Sequence, residues 1–208
     1  MKTKKLLIVT ILLLLVAPAF SQTAPADNDG SFHQGTNVIS GGVGIGGVYS
    51  YWSAGYSETP NFVLTYENGT FPKVGPGYIS LGGLVSYKGI SYNYIDPGTG
   101  YSYSQKWNYW IIGLRSAYHY NFFSSQKCDP YLGLMLGYYD LSYKFASNDP
   151  YYGHPGDPYY YASTESYASY LGISAYLGFR YYITTNVGLW AELGYGYTTL
   201  AAGVQCKF

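Results

Sequence analysis

Residues 198–208 read Thr-Thr-Leu-Ala-Ala-Gly-Val-Gln-Cys-Lys-Phe, which puts Leu200, Ala202, Val204, Cys206 and Phe208 on one face of an extended chain. Side chains of a strand alternate between its two faces, so this period of two predicts a β-strand closed by an aromatic residue. The same pattern recurs along the chain. Val187, Leu189, Ala191, Leu193 and Tyr195 oppose Gly188, Trp190, Glu192 and Gly194, and Leu171, Ile173, Ala175, Leu177 and Phe179 oppose Gly172, Ser174, Tyr176, Gly178 and Arg180. Leu132, Leu134, Leu136 and Tyr138 oppose Tyr131, Gly133, Met135 and Gly137; Ile112, Leu114, Tyr118 and Tyr120 oppose Gly113, Arg115, Ala117 and His119. Ile79, Leu81, Val85 and Tyr87 oppose Ser80, Gly82, Ser86 and Lys88, and Ile39, Val43 and Ile45 oppose Ser40, Gly42, Gly44 and Gly46. With residues 62–67, eight strands are predicted.

A soluble sandwich would bury the apolar face and leave Gly and Ser to meet water, and such sheets carry more Lys, Glu and Thr outside. Here the second face holds Gly, Ser, Tyr and isolated charges, which suits the filled interior of a narrow barrel, with the apolar face turned to lipid. Spanning strands need about 9–11 residues, and an open sheet edge would leave backbone groups unsatisfied in lipid, so the expected fold is all-β, an eight-stranded antiparallel transmembrane up-and-down β-barrel.

Composition agrees with that expectation. The chain has 208 residues, 48% hydrophobic, 20% aromatic and 11% charged, with 27 Gly and 29 Tyr, too apolar for a disordered tail. Eleven Lys and Arg against eleven Asp and Glu form no basic run, which argues against nucleic acid as a partner. Cys128 and Cys206 show no metal or redox spacing and are expected to stay unbonded, since both point outward from strands three apart.

Lys2, Lys4 and Lys5 precede an apolar run over residues 6–17, then Pro18 and the small positions Ala19 and Ser21. This predicts a secretory signal peptide over residues 1–21, cut near Ser21-Gln22, and a protein working outside the cytoplasm. Eight basic groups then face eleven acidic ones. Residues 22–35, rich in Ala, Asp, Asn and Gly, are expected to form a flexible periplasmic lead-in, with the barrel over 36–208.

The alternating final strand resembles the C-terminal assembly signal of bacterial outer-membrane barrels, and the whole expected mature chain is similar to the small OmpA/OmpX-type eight-stranded barrels. More narrowly, it resembles the outer membrane beta-barrel domain family of the Bacteroidetes. The residues carrying that likeness are Asn37-Val38-Ile39-Ser40-Gly41-Gly42-Val43-Gly44, Tyr66-Glu67-Asn68-Gly69, Gly75-Pro76-Gly77-Tyr78-Ile79-Ser80-Leu81-Gly82-Gly83, Tyr131-Leu132-Gly133-Leu134-Met135-Leu136-Gly137-Tyr138 and Glu192-Leu193-Gly194-Tyr195-Gly196. The resemblance implies a Gram-negative outer-membrane location and a porin-like barrel, with outer-membrane lipid and the barrel-insertion machinery as partners. It implies no reaction.

Outer-membrane barrels keep short turns on the periplasmic side, so residues 68–76, 122–129 and 183–186 are expected as periplasmic turns. Residues 50–60, 91–105 and 146–164, with a very short fourth loop near 196–198, are expected outside. Glu58, Asp96, Asp149, Asp157 and Glu165 would make that outer end acidic, and Lys73, Lys127 and Lys207 would mark the periplasmic end. The outer loops are rich in tyrosine, notably Tyr101, Tyr103, Tyr151, Tyr152, Tyr159 and Tyr160. Two roles are open to them: girdle and protruding-hairpin packing, or a surface for an extracellular macromolecule or a neighbouring membrane protein.

The inward parity collects Glu67, Arg115, Arg180 and Glu192, with His119 below Arg115 on the same face. Charges in a dry lumen are costly unless paired, so a network plugging the barrel is expected, the alternative being a narrow or gated pore for small solutes. No Gly-x-Ser-x-Gly, His-Glu-x-x-His or phosphate-cradling glycine pattern appears, and His33, His119 and His154 lack catalytic company. The expectation is a structural or surface protein without catalytic residues, cofactor or metal, a membrane-embedded enzyme being the least favoured reading.

Overall fold

The computed structural model describes residues 31–47, 55–123, 125–150 and 165–208. Nine strands are present among them: β1 (Asn37–Ile45), β2 (Tyr56–Glu58), β3 (Asn61–Asn68), β4 (Tyr78–Ile95), β5 (Ser102–His119), β6 (Cys128–Ser147), β7 (Glu165–Tyr182), β8 (Val187–Tyr195) and β9 (Leu200–Lys207). Both β2 and β3 pair with β4, at Glu58↔Ile90 and then Phe62↔Tyr87. They form one strand of the ring, interrupted at Thr59 and Pro60, where proline has no N–H to give the ladder. Thr59 bridges the gap, its N–H donating to Gly89 O at 2.9 Å and its Oγ1 accepting from Gly89 N at 2.9 Å.

Every pairing is antiparallel, and β1 pairs with β9 as well as β3 (Gly41↔Val204 and Gly41↔Leu64), which closes the sheet. The fold is an eight-stranded antiparallel up-and-down barrel whose ring closes through the β1–β9 pairing. Chain direction puts residue 31 and Phe208 at one end, called here the terminal end, where Phe208 N donates to Asn37 O at 3.0 Å.

The outer surface is apolar and the inner one polar. Ile173 is 71% exposed whereas Ser174 beside it is 0% exposed, and Leu114, Leu134, Leu177, Leu193 and Val204 face outward in the same way. Water would not tolerate a continuous apolar belt of this kind, and a bilayer requires it, so the barrel has the surface of a membrane-spanning protein. Rings flank the belt: Tyr120, Phe122 and Phe123 toward the terminal end, and the Tyr87–Trp110 pair, 4.8 Å between centroids, toward the other.

Several segments differ from the sequence expectation, and the expected first outer loop over residues 50–60 already contains strand β2. Residues 91–105 are not a loop, because β4 and β5 stay paired up to Ile95↔Ser102 and leave only residues 96–101 as a turn. Tyr and Ser alternate there with the period of a strand, and the cross-strand rings Tyr94 and Tyr103 pack 6.2 Å apart. Similarly β6 runs on to Ser147. At the terminal end, Asp129 belongs to β6 rather than to a turn. Finally, the stretch expected as lead-in is packed from Ser31 onward, with Ser31 and Phe32 both buried. Residues 22–30, the expected signal peptide and residues 151–164 lie outside the described residues.

Candidate functional site

Five of the spanning strands contribute inward charged side chains that meet within the ring, bringing together charges far apart in sequence. Glu67 comes from β3, Arg115 and His119 from β5, Asp129 from β6, Arg180 from β7 and Glu192 from β8. Arg180 donates through Nη2 to Glu67 Oε2 at 2.6 Å and through Nη1 to Asp129 Oδ2 at 3.0 Å. Arg115 donates through Nη2 to Glu192 Oε1 at 2.5 Å. Its Nε lies 2.8 Å from Glu67 Oε1, a charge contact without a directed hydrogen bond, because that N–H is aimed at Tyr176 Oη, 3.1 Å away. His119 Nδ1 is 2.8 Å from Asp129 Oδ1, and its Nε2 is 3.1 Å from Ser80 Oγ.

Glu67, Arg115, Arg180 and Glu192 all lie inside the barrel, where the tertiary structure joins them through shared partners. All are essentially shielded, none more than 2% exposed. Burying a charge costs several kcal/mol unless partners replace its water, and here each is met by an opposite charge or a hydroxyl. Tyr131 Oη donates to Glu192 Oε1 at 2.8 Å, and Tyr197 Oη donates to Glu192 Oε2. The two guanidinium groups lie over aromatic rings, Arg115 at 4.1 Å from the Tyr176 centroid and Arg180 at 4.4 Å from that of Tyr131. Glycines make room for those rings: a Cβ at Gly178 would strike Tyr131, and one at Gly133 would strike Tyr176.

Both ends of this interior are covered by side chains. At the terminal end Phe32 stacks flat on the His119 imidazole, 3.7 Å between centroids and 8° between planes, and clusters with Val38 and Tyr78. At the far end Tyr197 turns inward from the β8–β9 connection, where Gly196 takes a φ of 114° that favours glycine. Asn61 Nδ2 donates to the Tyr197 carbonyl at 2.8 Å, and Lys88 Nζ, above it, pairs with Glu58 at 2.9 Å.

Of the tyrosines singled out in the sequence, Tyr101 lies in the β4–β5 turn, and Tyr103 lies in β5, its Oη donating to Asp149 Oδ2 at 2.8 Å. Tyr151, Tyr152, Tyr159 and Tyr160 lie outside the described residues, as does His154. Leu200, Ala202, Val204, Cys206 and Phe208 all belong to the outward side of β9 and its end. Both cysteines are free. Sequence reasoning missed Asp129 and Phe32. Asp129 shares the parity of Tyr131 and Gly133, so extending that strand by two residues would have found it. Phe32 precedes every alternating segment and carries no such signal.

No family model matches the sequence, so the narrower resemblance to the Bacteroidetes-type barrel family has no match behind it, and no curated protein matches either. Among solved structures, the chain is similar to the N-terminal beta-barrel domain of Pseudomonas aeruginosa OprF. The TM-score is 0.47 and the identity 13%, covering 85% of this chain and 100% of that one. It is also similar to Ail, the attachment invasion locus protein of Yersinia pestis, solved with the heparin analogue sucrose octasulfate. There the TM-score is 0.41 and the identity 12%, over 83% of this chain and 95% of that one. A third likeness is to the beta domain of the Bordetella autotransporter Brka, with TM-score 0.34 and 19% identity, over 76% and 54% of the two chains. The closed strand register, rather than these likenesses, carries the fold.

Proposed function

We propose that this chain is an integral barrel of a Gram-negative outer membrane, with a plugged polar interior and a structural or surface-interaction role at its tyrosine-rich outer end. The observation that carries the reading is the interior itself. Two arginines, three carboxylates and an imidazole are knitted across five strands and covered by Phe32 and Tyr197. Such a network fills the cross-section a solute would need, as expected for eight strands. The apolar belt, its flanking rings and the expected signal peptide support the location, and β9 ending in Phe208 suits recognition by insertion machinery. The Bacteroidetes-type resemblance rests on its quoted sequence stretches alone. In this reading the protein is not an enzyme and needs no cofactor.

Purified barrel in planar bilayers should show no steady conductance, and Arg115→Ala should show a measurable one; conductance in the unaltered protein would overturn the plug. The surface role predicts that in-cell crosslinking captures partners that are lost when residues 149–160 are replaced by Gly and Ser. Identical crosslinked species from both proteins would reduce those tyrosines to packing.

A further inference from the structure

The two ends of the interior are closed by unlike devices. Tyr197 sits in a connection of four residues between two ladder-bonded strands, with Thr198 Oγ1 donating to Ile45 O at 3.0 Å. Ladder-bonded strands on both sides and the Asn61 and Glu192 hydrogen bonds hold Tyr197 in place. Phe32 sits five residues ahead of β1, on a segment that belongs to no strand. Its ring lies on His119, 5.8 Å from the Arg180 guanidinium. Ser31 Oγ donates to Cys128 O at 2.7 Å, and Lys207 Nζ donates to Ser31 O at 3.1 Å. A short turn, with Gly35 N donating to Gly69 O at 2.8 Å, marks where the segment joins the sheet.

We infer that Ser31 and Phe32 form a detachable plug, so that the terminal end is the one through which the charged interior opens to water. This inference rests on the closed-interior reading above. A unit held by the contacts of one ring with His119, Val38 and Tyr78 and by two directed hydrogen bonds opens more often than strands held by full ladders, because local opening needs only its own contacts broken. When the ring withdraws, His119, Asp129 and Arg180 are the first groups uncovered, while Tyr197 and Glu192 keep the far end shut. The interior then has a single, movable entrance at the end that holds both termini.

The test uses the full chain with Cys128→Ser, Cys206→Ser and Ala117→Cys. Ala117 is 2% exposed and inward, between Arg115 and His119, so its replacement thiol lies behind the Phe32 ring. The reaction rate of that thiol with aminoethyl methanethiosulfonate is compared with and without Phe32→Gly, in barrels shown to be folded by heat-modifiable gel mobility. We expect Phe32→Gly to speed the reaction by about tenfold or more, and Phe32→Tyr to leave it slow. Equal rates with Phe32 and with Phe32→Gly would overturn the plug. Should Phe32→Gly fail to fold, Lys207→Met keeps the ring and removes the bond to Ser31 O; a faster reaction supports the plug and an unchanged one overturns it. A thiol that reacts at the rate of a free cysteine with Phe32 in place would instead defeat the closed interior, which separates the two failures.

Discussion

Strands β4 to β6 pass through two environments, and their faces exchange polarity between them. Below the row of Tyr87, Trp110 and Tyr138, the outward side chains are mainly Leu, Ile and Val, with Ser116 and Tyr118 among them, and the inward ones include Arg115, His119 and Asp129. Above it, the outward positions include Ser91, Asn93, Lys106, Asn108, Ser142 and Lys144, and the inward ones, besides Lys88 and Gln105, are mostly apolar or aromatic, among them Ile90, Tyr92, Trp107, Leu141, Tyr143 and Phe145. The inward rings meet one another: Tyr56 and Tyr92 at 5.0 Å, Tyr56 and Trp107 at 5.9 Å, Trp107 and Tyr143 at 5.3 Å. The backbone is continuous and the parity unbroken, so the solvent outside decides which face is apolar. Lipid takes the apolar face outward in the lower part, whereas water drives the rings against each other in the upper part.

The largest expected difference lies between buried and peripheral charge. Arg180→Met leaves the carboxylates of Glu67 and Asp129 without their guanidinium and should cost about 3–5 kcal/mol in urea unfolding from lipid bilayers. Lys106→Met, on the outward face above the belt, should change stability by no more than about 0.5 kcal/mol. A comparable loss for both would mean that the interior network is not desolvated.

A second contrast uses one strand and one face. Leu134 and Ser142 both point outward from β6, the first in the middle of the apolar belt and the second above it. Leu134→Arg should cost about 2–4 kcal/mol and Ser142→Arg close to nothing, as read by the same unfolding titration. If Ser142→Arg proves as costly, the apolar boundary lies higher on the barrel than the Tyr87–Trp110 row.

The smallest effect belongs to the upper rings. Trp107→Ala removes ring contacts with Tyr56 and Tyr143 and should cost about 1–2 kcal/mol. Amide hydrogen exchange should quicken in residues 102–108 and hold steady in residues 112–118, because the lower ladder does not depend on that packing. Uniform acceleration through β5 would show that the two regions open as one.

Much of this is legible in the sequence alone. Alternation over residues 112–120, 132–138, 171–179 and 187–195 suffices to assign strands and faces, because side-chain direction in a strand follows sequence parity and nothing else. The inward assignment of Glu67, Arg115, Arg180 and Glu192 follows from the same rule. The height of the β4–β5 hairpin departs from the sequence expectation for a reason of the same kind. Ser91-Tyr92-Asn93-Tyr94 alternates as a strand does, but its polar composition suggested a loop, since the solvent that selects its apolar face had changed.

Partnership is where parity stops being informative. Glu67 and Arg180 stand 113 positions apart and meet only because ring closure and strand stagger set them at one height, a quantity that no single segment encodes. The same holds for Asp129, whose parity is readable but whose bonds to both Arg180 and His119 depend on the register of β6 with β5 and β7. Phe32 is the extreme case: it lies outside the ladder, and only the assembled mouth of the barrel, with His119 presented face-on, creates the place it fills. Alternation acts locally, through backbone geometry, and so is written along the chain; closure, stagger and the docking of a tail are properties of the whole ring.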